Sequence, residues 1–111
     1  MTTRETLGEF EHLVLLAIAR IGIDAGGGAI HAELQDVASR DAAIPAIYVT
    51  LARLQQKGLV RSRTVPAVGD RGGRARRVYT LTSAGTSELR RTRSVLERMW
   101  SGVSTLEPRA R

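Results

Sequence analysis

The sequence predicts a mainly α chain with one small β-hairpin, arranged as a winged helix-turn-helix followed by a C-terminal dimerisation helix. Three observations predict it. Residues 43–58 read as a helix, with Pro45 near the start, Ile47, Leu51 and Leu54 at helical spacing and Gly58 as a stop. Leu59 to Val65 and Arg76 to Leu81 read as two strands with alternating and β-branched residues. The loop between them, Gly69-Asp70-Arg71-Gly72-Gly73-Arg74, combines glycine with positive charge. A helix followed by a basic, glycine-tipped hairpin suits a DNA groove and the backbone beside it.

A chain of 111 residues is long enough for one small core. We expect residues 1–81 to form the winged domain and residues 82–111 a dimerisation helix with a short tail. With 42% hydrophobic but only 4% aromatic residues, the core must come mostly from Leu, Ile, Val and Ala. Cysteine is absent, which excludes a disulfide framework and a thiolate metal site. The longest apolar run, Leu13 to Ala19, is far too short to span a bilayer, and the N-terminus lacks a signal-peptide pattern. A cytoplasmic protein without a membrane partner is the expectation.

The net charge is +6, and its distribution is informative. Residues 1–40 carry three arginines against six acids. Residues 58–81 carry six arginines against one aspartate, so the densest positive charge falls on the predicted hairpin. Sixteen of the seventeen basic residues are arginine, whose planar fork suits phosphate oxygens and guanine edges.

The first helix is expected over Leu7 to Arg20. Leu7, Phe10, Val14, Ala17, Ile18 and Ile21 mark its apolar face, and Leu13 and Leu16 widen it. Gly22 ends it, and Asp24 is a plausible N-cap for the next helix. That second helix is expected over about Gly26 to Ser39, with Ile30, Leu34 and Val37 facing inward. Its glycine run, Gly26-Gly27-Gly28, costs about 0.5–1 kcal/mol per residue relative to alanine and predicts a loose or late start.

The third helix, about 45–57, buries Ile47, Leu51 and Leu54. Ala46, Val49, Thr50, Arg53 and Lys57 then lie on or near the opposite face. Small residues there permit close approach to a major groove, and polar ones reach bases or phosphates. In the hairpin, about 59–81, Tyr79 and Leu81 should face the core, while several of Arg61, Arg63, Arg76 and Arg77 must project outward. Gly72 and Gly73 let the tip take φ > 0 and approach a phosphate closely. A nucleotide-binding loop is a weaker reading of GDRGGR, which lacks the Lys-Ser/Thr pair and is followed by a strand.

Thr82 is a good N-cap for a last helix running to about Val103. Leu89, Thr92, Leu96, Met99, Val103 and Leu106 fall at a/d spacing over a short span. Pairing with a second copy through Leu89, Leu96, Met99, Trp100 and Val103 is the economical reading, with packing on the first helix as the alternative. Met99 and Trp100 also suit one wall of a pocket for a small hydrophobic or aromatic effector.

The segments LGEFEHLVLLAIARIG, AIHAEL, IYVTLARLQQKGLV and RGGRARRVYTLTSAG together resemble the PadR-type transcriptional regulators, in the short form with a single C-terminal helix. The resemblance covers roughly residues 7–103. It implies a bacterial homodimer that represses nearby genes, and whose C-terminal helices pair. Some members respond to phenolic acids or flat hydrophobic drugs bound between subunits. By that resemblance the Tyr-x-Thr-Leu-x-Arg-Leu helix is the recognition helix. Tyr48 and Thr50 inherit phosphate contacts, Arg53 a DNA contact, and Arg71, Arg74 and Arg76 backbone contacts from the wing, with Gly73 at its tip. Two departures stand out. Ala25-Gly26-Gly27 replaces the family's Ala-Tyr-Gly, and Ala43 stands where a serine often caps the recognition helix.

The function expected is therefore a dimeric DNA-binding repressor on a near-palindromic operator. A winged helix that binds a protein instead of DNA is the alternative, and the arginine-rich wing argues against it. An enzyme is not expected. His12 and His31 are the only histidines, His31 and Glu33 lack metalloprotease spacing, and no nucleophile-base-acid set is visible. Neither a metal nor another cofactor is expected.

Overall fold

The computed structural model describes residues 7–66, 75–103 and 106. The order of elements is α1 (Glu9–Ile21), α2 (Gly27–Ala38), α3 (Ile44–Gln56), β1 (Val60–Val65), β2 (Arg76–Leu81) and α4 (Ser83–Ser101). This is the winged helix-turn-helix expected, with a fourth helix after the hairpin.

The core lies where α1, α2 and α3 meet. Val14, Leu15 and Ile18 from α1, Ile30 and Leu34 from α2, and Ile47, Leu51 and Leu54 from α3 are buried there. Each such Leu or Ile contributes about 1.5–3 kcal/mol of apolar burial. Leu15 is fully buried although the expected face omitted it, and Leu16 is 38% exposed. The face on α1 runs through Glu11, Val14, Leu15 and Ile18 at i, i+3, i+4 and i+7, which turns Leu16 towards α4 instead. Val37 departs from expectation as well. It sits in the last turn of α2, is 55% exposed, and lines a shallow surface groove with Leu13 and Ala17.

Two turns need left-handed glycines. Gly22 (φ +86°) ends α1, and Gly58 (φ +77°) ends α3 so that Leu59 N–H can donate back to Leu54 O at 3.0 Å. β1 and β2 pair antiparallel, with Val60 opposite Leu81 and Val65 opposite Arg76. On β2, Tyr79 is buried as expected and Leu81 packs partly against the core. Val78 is also fully buried, because the loop before α2 forms a third edge there. Gly26 bridges to Val78, and Tyr79 N–H donates to Ala25 O at 2.9 Å.

The glycine run therefore serves the start of α2 instead of loosening it. The helix begins at Gly27 with Gly26 as N-cap, and neither Asp24 nor another side chain caps it. Thr82 does cap α4: its Oγ1 accepts from Gly85 N–H at 3.0 Å and donates to Gly58 O at 2.6 Å.

Candidate nucleic-acid interface

Pro45 sets the first turn of α3, and Ala43 occupies the N-cap without a side-chain hydrogen bond. Because Ile47, Leu51 and Leu54 point inward, Ala46, Tyr48, Val49 and Arg53 are left exposed, Tyr48 by 44% and Val49 by 59%. Thr50 is a correction. It is only 5% exposed, since residues 47, 50, 51 and 54 form one i, i+3, i+4, i+7 stripe and Thr50 lies inside it. Lys57, at the end of α3, is also drawn inward: its Nζ donates to Glu11 at 3.0 and 3.1 Å.

The hairpin beside α3 presents Arg61 and Arg63 on β1 and Arg76 and Arg77 on β2, all exposed. Arg77 Nη1 donates to Ser62 Oγ at 3.2 Å. Arg76 forms an ion pair with Asp24 from the loop before α2. Arg71, Gly73 and Arg74 lie outside the described residues.

Between these elements is a notch of about 300 Å³, lined by Asp24, residues 26–29, Tyr48, Arg76 and Arg77. Tyr48 packs directly over Gly27. A Cβ at Gly27 would lie 2.6 Å from Tyr48 Cζ, far inside van der Waals contact. α3, α2 and the hairpin thus meet around one notch that Tyr48, Arg76 and Arg77 share with Asp24.

The second surface of interest is on α4. Leu89 packs against the core, whereas Leu96, Met99 and Trp100 are 45%, 69% and 52% exposed. A groove of about 440 Å³ runs between α1 and α4, lined by His12, Leu16, Leu89, Leu96 and Trp100 among others. A smaller one of about 200 Å³ continues past Met99 and Val103 to Leu106. Of the five residues expected at the dimer contact, Leu89, Leu96, Met99 and Trp100 follow one side of α4 and Val103 lies just past its end, with Leu89 shared with the protomer's own core.

His12 belongs to that groove, while His31 Nε2 lies 3.9 Å from Asp41 Oδ1. Among the described residues no group of three or more His, Cys, Asp or Glu can hold a metal ion. No described helix is long and apolar enough to cross a membrane.

Residues 15–91 match the transcriptional regulator PadR-like family. The chain belongs to that family. Solved structures of PadR-like proteins agree. A PadR-like transcription factor from Bacteroides fragilis superposes with a TM-score of 0.72 at 20% identity, over 88% of this chain and 89% of that one. A PadR family regulator from Eggerthella lenta gives 0.67 at 25% identity, over 88% and 85%. Bacillus subtilis PadR, solved in complex with operator DNA, gives 0.62 at 25% identity over 73% of this chain. The matched part is 44% of that longer protein. No curated protein matches the chain.

Within this PadR-like domain, the sequence points to Tyr48, Arg53 and Arg76 as surface groups, and the structure exposes all three. It hides two others. The role of Gly27 depends on Tyr48 from a different helix, and that of Asp24 on Arg76 from a strand 52 residues away. Neither pairing leaves a local pattern.

Proposed function

We propose that this protein is a homodimeric DNA-binding repressor in which α3 enters the major groove and the hairpin holds the backbone. One observation carries the reading. The exposed face of α3, small at Ala46 and Val49 and basic at Arg53, meets Arg76 and Arg77 in the notch at Tyr48, on a hairpin that also exposes Arg61 and Arg63. Small residues allow the helix to approach base edges, and the arginines neutralise flanking phosphates. The operator-bound structure of Bacillus subtilis PadR supports the same partner here.

Two copies paired through α4 would set their recognition helices about one helical turn apart on a near-palindromic site. With about three phosphate contacts per subunit, log K should fall with log salt at a slope of about −5. Repression rests on the resemblance to the family, whose members usually repress nearby genes. Met99 and Trp100 supply the aromatic and polarisable surface that a flat effector between subunits would use.

The test is binding of the purified protein to the DNA upstream of its own gene, at two salt concentrations, against an unrelated duplex. Tight, salt-sensitive binding that survives the competitor is expected. A folded dimer that fails to bind either duplex at low salt overturns the reading.

A further inference from the structure

Resting on that reading, we propose that Gly27 is a positioning residue for DNA binding, acting through Tyr48 to hold its hydroxyl toward a backbone phosphate beside Arg76 and Arg77. Three observations carry it. First, Gly27 is buried in the opening turn of α2, and a Cβ there would collide with the Oη, Cζ and Cε2 atoms of Tyr48. The ring of α3 is thus seated on the bare backbone of α2. Second, Tyr48 remains 44% exposed, so the seat fixes the ring without hiding it. Third, Tyr48 shares its notch with Arg76 and Arg77 at the loop end of β2. The Tyr48 O–H and the guanidinium groups of Arg76 and Arg77 are donors suited to a phosphate, which would draw Arg76 from Asp24 in the same notch and Arg77 from Ser62.

The glycine is costly for the helix it begins, since alanine is favoured by about 1 kcal/mol within helices. Retaining it makes sense if the vacant Cβ position is needed by something else, and the nearest atoms facing that position belong to the Tyr48 ring and hydroxyl. Neighbouring Gly28 meets nothing within 4 Å at its own Cβ position, so the requirement is specific to residue 27.

The experiment compares wild type, Gly27→Ala, Tyr48→Phe, Tyr48→Ala and the double variant Gly27→Ala/Tyr48→Ala. The probe is a mixed-sequence duplex of about two helical turns, read at low salt so that sequence-independent backbone contacts dominate. Gly27→Ala and Tyr48→Phe should each weaken binding on the order of tenfold, the loss of one hydrogen bond to a charged group. In the Tyr48→Ala background Gly27→Ala should change nothing, because the ring it displaces is gone. Ring proton resonances of Tyr48, identified by their loss in Tyr48→Phe, should shift in Gly27→Ala without DNA. Unchanged affinity in Gly27→Ala, or an equal loss in both backgrounds, overturns the proposal. A wild-type protein that binds no duplex, while the Tyr48 resonances still move, fails the DNA reading itself and leaves the ring-on-glycine packing intact.

Discussion

Glu11 and Lys57 join the first turn of α1 to the end of α3, with both carboxylate oxygens of Glu11 accepting from Lys57 Nζ. Glu11 is 7% exposed and also accepts from Gly8 N–H at 3.0 Å, so it caps its own helix while anchoring the end of α3. Burial alone would raise its pKa. The Gly8 hydrogen bond and the Lys57 ammonium outweigh that and hold the carboxyl below its ordinary value.

The sign of the pH effect follows. A carboxyl with a lower pKa in the folded state stabilises the fold above its unfolded pKa, and that stabilisation is lost as pH falls through the folded value. Glu11→Gln should lower stability by about 2 kcal/mol at neutral pH, between the cost of a lost hydrogen bond and that of a broken buried pair. The deficit should shrink in acid, where wild-type Glu11 is itself protonated. Urea unfolding at pH 7 and pH 3 measures both. A deficit of equal size at the two pH values would show that the charge contributes nothing.

Gly85 offers a test in which the usual sign reverses. Replacing a helical glycine by alanine normally stabilises by up to about 1 kcal/mol. Here a Cβ would overlap the carbonyl oxygen of Leu59, because Thr82 draws the start of α4 onto the turn after α3. Leu59 O is also held by Thr82 N–H at 3.1 Å, so it cannot easily withdraw. Gly85→Ala should therefore destabilise by about 1–3 kcal/mol, the usual range for overpacking. Thermal melting is sufficient, and a melting temperature at or above that of wild type would contradict the contact.

These two contacts show where sequence reading stops. Periodicity placed α3, both strands and the cap at Thr82, since each is signalled within a few neighbouring residues. It misjudged Thr50, whose polarity suggested a surface position although the i, i+3, i+4 geometry around Ile47 places it inside. It misjudged Leu16 and Val37 because an apolar residue beside a core stripe looks the same as one within it. Gly27, as part of the glycine run, looked like a helix weakener, and nothing local marks Gly85. The place of each depends on Tyr48 or Leu59, which only the tertiary fold brings to it. At the interface, exposed Tyr48, Arg53 and Arg76 were legible, while the opposing charge at Asp24 was not.

Trp100 reports on the proposed dimer. It is the only tryptophan in the chain and is half-exposed on α4, next to exposed Leu96 and Met99. Burial against a second copy should shift its fluorescence to shorter wavelength as concentration rises. Leu96→Glu should abolish that shift and yield a monomer by light scattering, since one unpaired carboxylate in an apolar contact costs several kcal/mol. Operator binding should fall with it, because a monomer reads only one half-site. A dimer that persists in Leu96→Glu would move the interface elsewhere.

The ion pair between Asp24 and Arg76 competes with the phosphate contact proposed for Arg76. Both side chains are more than half exposed, so the pair itself adds little stability, about 0–1 kcal/mol. Its effect should fall on DNA binding. On the proposed reading, Asp24 holds a guanidinium that a phosphate would take, and it adds negative charge to a face that would approach a polyanion. Asp24→Asn should therefore bind duplex DNA about two- to fivefold more tightly at low salt, with the gain fading as salt screens the repulsion. Arg76→Ala should bind more weakly, and adding Asp24→Asn to it should recover less than in wild type, because part of the gain is the release of Arg76. Titration of all four proteins against one duplex at two salt concentrations separates the two contributions. If Asp24→Asn binds no better than wild type, the proposed contact of Arg76 with the backbone is overturned.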